Sequence, residues 1–384
     1  PTRGDVTDPI PRPLWLAVVF VASALLGCDP AVDDPPSDAG GTPPARGTLR
    51  VSGGDVAVPY ASSNRLVGLA TAPTGELAGE VNTSAFGVLA PGVVLNEEGD
   101  AIVYSSFDGD GPVLRLRRLQ GGEDSVVDEN AFSAAWSHDG ALAYFRAVER
   151  TPEDPAKRAG HVVVRDLEAD TTQRWTARRG RFVVVAWAGD RLLAYRRGAE
   201  TWPDLVVFDG RGRMRVLAEE SGLVAVSPDG RMALVTVEPD RSPTVHLLRV
   251  EDGARLAALT FPEAPDRPNV GPVTFVAPLG SWVGDVAVAA VTEGIATFRV
   301  GPRSVDLEQL LHLDPESFPV GATEPQLDAS GRRVSAVVEL AVRPQAALPE
   351  TAVISCDRVS LRCRSTAPLS YAPPPRLVYD PSRP

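Results

Sequence analysis

The sequence predicts an all-β fold, a β-propeller of four-stranded blades, and three observations carry the prediction. An apolar run, a polar turn with glycine and a second apolar run recur, and the turn glycines are spaced by 41, 49, 41, 54 and 47 residues. A second hairpin follows each turn, so a unit of four short strands repeats, as in propellers. Strands such as 232–237 are apolar or nearly so at both alternating sets of positions, which is expected of strands covered on both faces.

The turn glycines mark the first hairpin of each unit. Asp-Gly or Gly-Asp between two apolar runs predicts a hairpin, and a type I′ turn needs positive φ at both central residues. Asp139–Gly140 and Asp229–Gly230 are interpreted as such repeat turns, because Asp before Gly bonds to local backbone groups, and not as catalytic carboxylates. The six glycines are Gly99, Gly140, Gly189, Gly230, Gly284 and Gly331.

The length of the repeat region predicts the number of blades. Residues 48–370 are assigned to the propeller, and division of this length by the mean spacing of about 46 residues gives close to seven units. The alternative is six blades with an N-terminal extension. Residues 304–313 carry the one weak helical spacing and are the only candidate for a helix.

Two of the turns carry a family resemblance. WSHDGALAY (136–144) and VSPDGRMAL (226–234) resemble the WSPDG-type repeat of TolB-like and WD-like bacterial propellers. The resemblance covers most of residues 90–340, with two specific copies and four degenerate ones. It implies a periplasmic or surface-exposed propeller that binds proteins. Nothing in residues 29–90 resembles the N-terminal α/β domain of TolB, so a role in the Tol system is not implied.

The first 27 residues are predicted to be a signal peptide of the lipoprotein type. The uncharged apolar run 14–26 follows Arg3 and Arg12, and it is shorter than the about 20 residues that span a membrane. It ends in Leu-Leu-Gly-Cys, which resembles the bacterial lipobox, so Cys28 is predicted to carry the lipid anchor. An ordinary secretory signal with an incidental cysteine is the alternative.

Two segments outside the repeats are predicted to have no core of their own. Residues 28–47 form an acidic, proline-rich tether, because 29–47 hold four Asp, five Pro and no apolar cluster that would offset the ordering entropy. Residues 371–384 form a proline-rich tail, in which 377–379 can dock onto the body.

Charge and motifs exclude several classes of function. The net charge of −12 opposes a nucleic-acid partner, which needs a basic surface. The chain has no GxSxG, HExxH, P-loop or GxGxxG motif, and its four histidines lack metal-ligand spacing. No catalytic residue, cofactor or metal ligand is therefore nominated.

The other two cysteines are predicted to form a disulfide. Cys28 is assigned to the lipid, and export places Cys356 and Cys363 in an oxidising environment. Their segment has the pattern of the last hairpin of the last blade, which is expected where the ring closes.

Trp202, with Arg196 and Arg197, is the candidate partner contact. These residues lie in a polar loop between a second and a third strand, where loop lengths differ between the units, and an exposed Trp beside Arg is typical of interfaces. The alternative packs Trp202 against its own blade. The Arg-rich stretch 161–215 is interpreted as solvated strand edges, with a patch for an acidic partner as its alternative.

These observations favour a monomeric propeller, anchored to the membrane through Cys28, on the periplasmic side or the surface of the bacterial envelope. Its partner is expected to be another envelope protein or a small ligand. The alternative is a propeller enzyme, a hydrolase or lyase, whose site is assembled from several blades at the channel mouth. Three or more carboxylate, His or Arg side chains converging at one mouth would favour the enzyme.

Overall fold

The computed structural model divides the chain by its contacts into Pro1–Ala45 and Arg46–Pro384, and all described residues belong to the second unit. The structure describes residues 57–63, 66–71, 77–82, 93–96, 98–107, 111–118, 124–148, 159–175, 180–196, 203–237, 244–260, 280–291, 294–313, 322–328, 330–340, 350–360, 362–365 and 376–379. The predicted lipid anchor Cys28, the tether, and the candidate contacts Arg197 and Trp202 lie outside these ranges.

The described residues form seven antiparallel sheets, here called blades 1 to 7, and contain no helix. Blade 1 holds β1 (Ala57–Ser63), β2 (Leu66–Thr71) and β3 (Leu77–Asn82); blade 2 holds β4 (Val93–Leu95), β5 (Ala101–Phe107), β6 (Pro112–Arg118) and β7 (Asp124–Glu129); blade 3 holds β8 (Ala131–Trp136), β9 (Ala141–Ala147), β10 (Gly160–Asp166) and β11 (Thr171–Arg174); blade 4 holds β12 (Phe182–Ala188), β13 (Arg191–Arg196), β14 (Asp204–Phe208) and β15 (Met214–Ala218). Blade 5 holds β16 (Ser221–Val226), β17 (Met232–Val237), β18 (Thr244–Arg249) and β19 (Arg255–Thr260); blade 6 holds β20 (Trp282–Val283), β21 (Val286–Val291), β22 (Gly294–Gly301), β23 (Ser304–His312) and β28 (Arg376–Tyr379); blade 7 holds β24 (Ala322–Leu327), β25 (Arg333–Leu340), β26 (Glu350–Asp357) and β27 (Cys363–Ser365).

The seven blades close into a ring. Each blade contacts the next in chain order, and β1 of blade 1 contacts β25 and β26 of blade 7. The four main strands of blades 2 to 7 are consecutive in the chain, so each blade is one hairpin-linked segment. The predicted all-β propeller is confirmed, and its repeat count of seven agrees with the seven sheets.

Apolar side chains on both faces of each blade hold the ring together. In blade 4, Leu192, Ala194 and Val206 pack toward blade 3, whereas Leu193 and Leu205 pack toward blade 5. All five side chains are fully buried. Full burial of a Val or Leu side chain contributes about 1.5–3 kcal/mol, so each such side chain between two blades stabilises the ring.

The segment 304–313, the candidate helix, is instead mostly strand β23, and the helix prediction is wrong. Val305 and Leu307 alternate as in a strand, but Leu307 pairs with Phe298 while Gln309 pairs with Thr297. Glu308 is therefore an extra residue, a β-bulge, and it shifts the next buried position to Leu310. This insertion turned a two-residue period into spacings that resemble those of a helix.

After blade 7 the chain crosses to blade 6, where the C-terminal strand β28 pairs with the outer strand β23. Leu310 pairs with Tyr379, Leu311 with Leu377, and His312 with Arg376. Residues 377–379, which the sequence predicts can dock onto the body, thus belong to a strand that pairs with β23. None of the described residues belongs to a helix long and apolar enough to cross a membrane.

Candidate functional site

The first strand of each blade lies at its inner end, since β4 contacts both β1 and β8, and β8 also contacts β12. Glu324 is the only Asp, Glu, His, Lys or Arg in these first strands as the structure describes them. The described inner strands therefore do not bring three carboxylate, His or Arg side chains together. The described part of the chain also holds no group of three His, Cys, Asp or Glu residues arranged for a metal.

The ring has two unlike faces. The connections from first to second strand and from third to fourth strand share one face, here called the turn face, and hold two to five residues in blades 2 to 7. The connections from second to third strand and from one blade to the next share the other face, here called the variable face. There the second-to-third connections range from two residues (292–293) to twelve (148–159).

The predicted turn residues Asp139, Gly140, Asp229 and Gly230 lie on the turn face, in hairpins held by a serine. Ser227 Oγ donates to the Asp229 carboxylate at 2.6 Å and accepts the Met232 N–H at 2.9 Å. Its carbonyl accepts the Gly230 N–H at 2.8 Å. Ser137 makes the corresponding bonds to the Asp139 carboxylate, the Ala141 N–H and the Gly140 N–H.

The type I′ assignment of these turns is wrong. Gly140 and Gly230 have φ of +82° and +67°, but neither Asp139 nor Asp229 has a positive φ. The loops hold more than two residues, and such a loop needs only one left-handed residue to match the twist of the strands. The aspartates therefore serve as hydrogen-bond acceptors, and hydrogen bonds from Ser227 and the Arg231 N–H lower the pKa of Asp229.

A polar residue three positions before the turn glycine was missed at the sequence level. Asn96 and Asp328 take the place of Ser137 and Ser227, and each accepts backbone N–H groups across its own turn at 2.8–3.0 Å. The spacing from Asn, Ser or Asp to Gly is the same in four blades, so an alignment of the repeats would have found it. Their hydrogen bonds fix the conformation of the turns on this face, and the polar groups that form them are bonded within the turns.

Hydrogen bonds between neighbouring blades were also missed. Trp136 Nε1 donates to the Val94 carbonyl at 3.4 Å, and Trp187 Nε1 donates to the Ala135 carbonyl at 3.1 Å. Both indoles thus reach the first strand of the preceding blade. The sequence signal is a Trp near the end of an inner strand, and its role here is to join blades.

Several members of the Arg-rich stretch are engaged within the protein. Arg196 pairs with Asp204 across β13 and β14, with Nη2 and Oδ2 2.7 Å apart. Arg165 donates to the Val127 carbonyl of blade 2 at 2.6 Å, and Arg215 donates to the Val250 carbonyl of blade 5. These contacts account for Arg165 and Arg215 as links between blades and for Arg196 as part of a cross-strand ion pair.

Cys356 and Cys363 form a disulfide that joins β26 to β27, with their Cα atoms 4.0 Å apart. Cys356 is buried in the core between blades 6 and 7. The hairpin is the last one of blade 7, and β26 contacts β1, so it lies at the closing junction as predicted. The alternation of β26 nevertheless turns the Cys356 side chain toward blade 6, away from blade 1.

The turn that the disulfide brackets is linked to blade 6. Arg358 Nη2 lies 2.6 Å from Glu308 Oε2, and the Arg358 carbonyl accepts Gln309 Nε2 at 2.9 Å. Asp357, the last residue of β26 before this turn, accepts N–H groups from Ser360 and Val359 and pairs with Arg332. The Ser360 N–H first, and then Arg332, lower the pKa of Asp357 to about 2.

The four histidines are dispersed. His138 lies in the first turn of blade 3 and His161 on β10, whereas His246 and His312 lie on β18 and β23. Burial and the nearby Arg255 lower the pKa of His246. The two histidines of blade 3 stand on different elements, and the other two belong to separate blades, so the fold does not assemble them into a site.

A closed ring of seven antiparallel sheets with first strands innermost defines the chain as a seven-bladed β-propeller. No family model matches it, and no curated protein matches it. Similar solved structures include prolyl endopeptidases (TM-score 0.51, 12% identity, 81% of this chain and 49% of that chain) and Pyrococcus horikoshii acylaminoacyl peptidase (0.50, 14%, 82% and 50%). TolB from Acinetobacter baumannii is a further similar structure (0.42, 12%, 78% and 76%). This chain spans about half the length of the two peptidases, and the likeness shows the fold alone.

Proposed function

We propose that this chain is a lipid-anchored, non-catalytic propeller of the bacterial envelope that binds another envelope protein through its variable face. The contrast between the two faces is the observation that carries the proposal. The connections on the turn face hold two to five residues, whereas the second-to-third connections on the variable face hold two to twelve. In repeat architectures, insertions collect on one face, and that face often binds the partner.

The sequence of the variable face supports the choice. Its long connections, 148–159, 197–203 and 341–349, are rich in Pro and polar residues, and Trp202 with Arg197 lies in the second of them. Trp and Arg are the residues most often found as interface anchors. Arg196 borders the same connection, and its pairing with Asp204 would fix the base of the loop.

Deletion of residues 150–158 and, separately, Trp202→Ala test the binding face. Affinity capture from the native membrane identifies the partner, and titration with the purified partner then gives the affinity. Loss of an anchor Trp costs at least about 2 kcal/mol, or about 30-fold in Kd. Glu168→Ala, on an exposed side chain of the turn face, is the matched control. Unchanged affinity in both test variants at the wild-type melting temperature would place the binding face elsewhere.

Anchoring at Cys28 has its own experiment. Wild-type protein is expected to enter the detergent phase in a phase-partitioning assay, whereas Cys28→Ala stays in the aqueous phase. Cys363→Ser keeps the lipidation site and breaks the disulfide instead, so it controls for the replacement of a cysteine elsewhere in the chain. Equal release of wild type and Cys28→Ala into the aqueous phase would refute the anchor.

A further inference from the structure

The outer edge of blade 6 differs from the other outer edges. In blades 2, 3, 4, 5 and 7, the fourth strand is the last strand that the structure describes, whereas β23 of blade 6 carries β28 as a fifth strand. The end of β23 is covered as well as paired, because Leu310, Leu311 and His312 are buried with β28 in place. By contrast, all four residues of β11, the outer strand of blade 3, are exposed.

The choice of this edge is selective. The C-terminal segment leaves β27, whose own outer edge has no further strand among the described residues, and it crosses to the neighbouring blade to pair with β23. If β28 could pair equally well with any free edge, it would be expected to pair with the nearest one, that of β27. The pairing therefore indicates that the end of β23 offers a better site than β27 does.

The pairing is short enough to be exchanged. Three residue pairs join β28 to β23, and the register shifts between Leu310 and Leu311. So few pairs are marginal in water unless a tether holds them. The ten-residue connection 366–375, with Pro373–Pro375, supplies that tether.

The register defines the chemistry of the occupant. Arg376 lies opposite His312, Leu377 opposite Leu311 and Tyr379 opposite Leu310, while Val378 is the extra residue at the shift. In recognition by strand addition, backbone groups give affinity and alternate side chains give specificity. The edge thus takes an extended segment of the form basic, apolar, any residue, aromatic.

We propose that the outer edge of β23 at Leu310–His312 binds an extended peptide segment of a partner protein with this pattern, and that β28 is its intramolecular occupant. The proposal goes beyond the proposed function, because this edge belongs to the outer strand of blade 6 and not to the variable face. A partner segment would displace β28 and add the same backbone hydrogen bonds in its place.

The test uses a fluorescein-labelled peptide of residues 374–382 and fluorescence anisotropy. A chain ending at Ser370 has the edge vacated, and the full-length Leu377→Pro variant has a β28 that lacks one backbone N–H. Both are expected to bind the peptide at least about tenfold more tightly than the full wild-type chain, because the tethered strand competes at an effective concentration of the order of mM. The full-length Ser382→Pro variant, changed beyond β28, is the control and should behave as wild type.

Two outcomes would overturn the proposal. One is the absence of an anisotropy change with both the truncated chain and Leu377→Pro, at peptide concentrations up to about the mM effective concentration of the tether, while their melting shows a folded protein. The other is a full-length chain that dimerises with rising concentration and becomes monomeric in Leu377→Pro, because a second copy is then the occupant. A failed peptide experiment with intact capture through the variable face would leave the proposed function standing.

Discussion

Gly140 and Gly230 occupy the same position in the first turns of blades 3 and 5, yet their surroundings differ. Both have positive φ, which costs a residue with a side chain about 1–2 kcal/mol. A Cβ on Gly140 would meet nothing within 4 Å, but one on Gly230 would clash with the Gly189 nitrogen of blade 4. The conformation thus requires glycine at both positions, and the close approach of a neighbouring blade adds a second requirement at Gly230.

Alanine substitution separates these two requirements. Gly140→Ala is expected to lower the free energy of unfolding by about 1–2 kcal/mol, the cost of the left-handed conformation alone. Gly230→Ala should cost more, because the backbone of blade 4 must also move. Denaturant unfolding of both variants measures the difference. Equal losses would show that the contact between the two turns does not persist in solution.

The hairpin of β26 and β27 combines an internal disulfide with polar contacts to the neighbouring blade 6. The disulfide closes it, and Arg358 in its turn is bound to Glu308 of blade 6. The side chain of Arg358 is only 12% exposed, so this ion pair is largely shielded from water and from salt. Blades 6 and 7 are therefore joined by apolar packing, by charge and by the crossing of the chain to β28.

Reduction of the disulfide is expected to loosen this hairpin. Closure of so short a loop contributes about 2–3 kcal/mol in the chain-entropy model, and that stabilisation should be lost with dithiothreitol or in the Cys356→Ser/Cys363→Ser variant. The measurement is denaturant unfolding with a thiol count on unfolded protein. Two free thiols per chain before reduction, with Cys28 lipidated, would contradict the bridge.

Asp357 makes the same turn sensitive to acid. Its pKa is about 2 in the folded protein and 3.8 as an unperturbed carboxyl. A lowered folded pKa stabilises the fold above pH 3.8, and this contribution is lost as pH falls toward 2. Asp357→Asn should therefore be less stable than wild type above pH 4, and the gap should close by about pH 2.

Urea unfolding of both proteins between pH 2 and 7 gives the two curves. Glu251→Gln, at an exposed position in the corresponding turn of blade 5, is the control and is expected to follow wild type. A difference between wild type and Asp357→Asn that stays constant over this pH range would show that the carboxylate charge does not matter.

Local patterns in the sequence predicted the hairpins because glycine and its polar neighbours act within a few residues. The strand β23 escaped prediction because the Glu308 bulge breaks the alternation, and a bulge depends on the partner strand. The Trp136 and Trp187 contacts join residues 42 and 52 positions apart. Prediction of such contacts requires knowledge of how neighbouring blades are placed in space, which a single sequence does not provide.

At the scale of the whole ring, the junction between blades 7 and 1 closes the structure without a shared strand in the described residues. Val334, Ala336 and Ile354 pack toward blade 6, so the alternate residues Ser335 and Ser355 lie on the face of blade 7 toward blade 1. These serines are paired in register and fully buried, and their Oγ atoms have no hydrogen-bond partner in the described structure. Buried hydroxyl groups without partners destabilise.

The Ser335→Ala/Ser355→Ala variant is accordingly expected to be at least as stable as wild type, with a gain of up to about 1 kcal/mol. Thermal and denaturant unfolding measure it. Val334→Ala, on the opposite face of the same strand, is the contrast and should lose stability because it removes buried methyl groups. A loss of more than about 1 kcal/mol in the double serine variant would mean that the hydroxyl groups are satisfied, for example by buried water.

Because each of blades 2 to 7 keeps its four main strands in one stretch of chain, the propeller is modular in the genetic sense. Duplication or loss of a single unit of about 46 residues would add or remove a whole sheet without rethreading the others. Among the described residues, the attachment of β28 is the exception to this modularity. It requires the end of the last unit to reach the outer strand of the preceding blade.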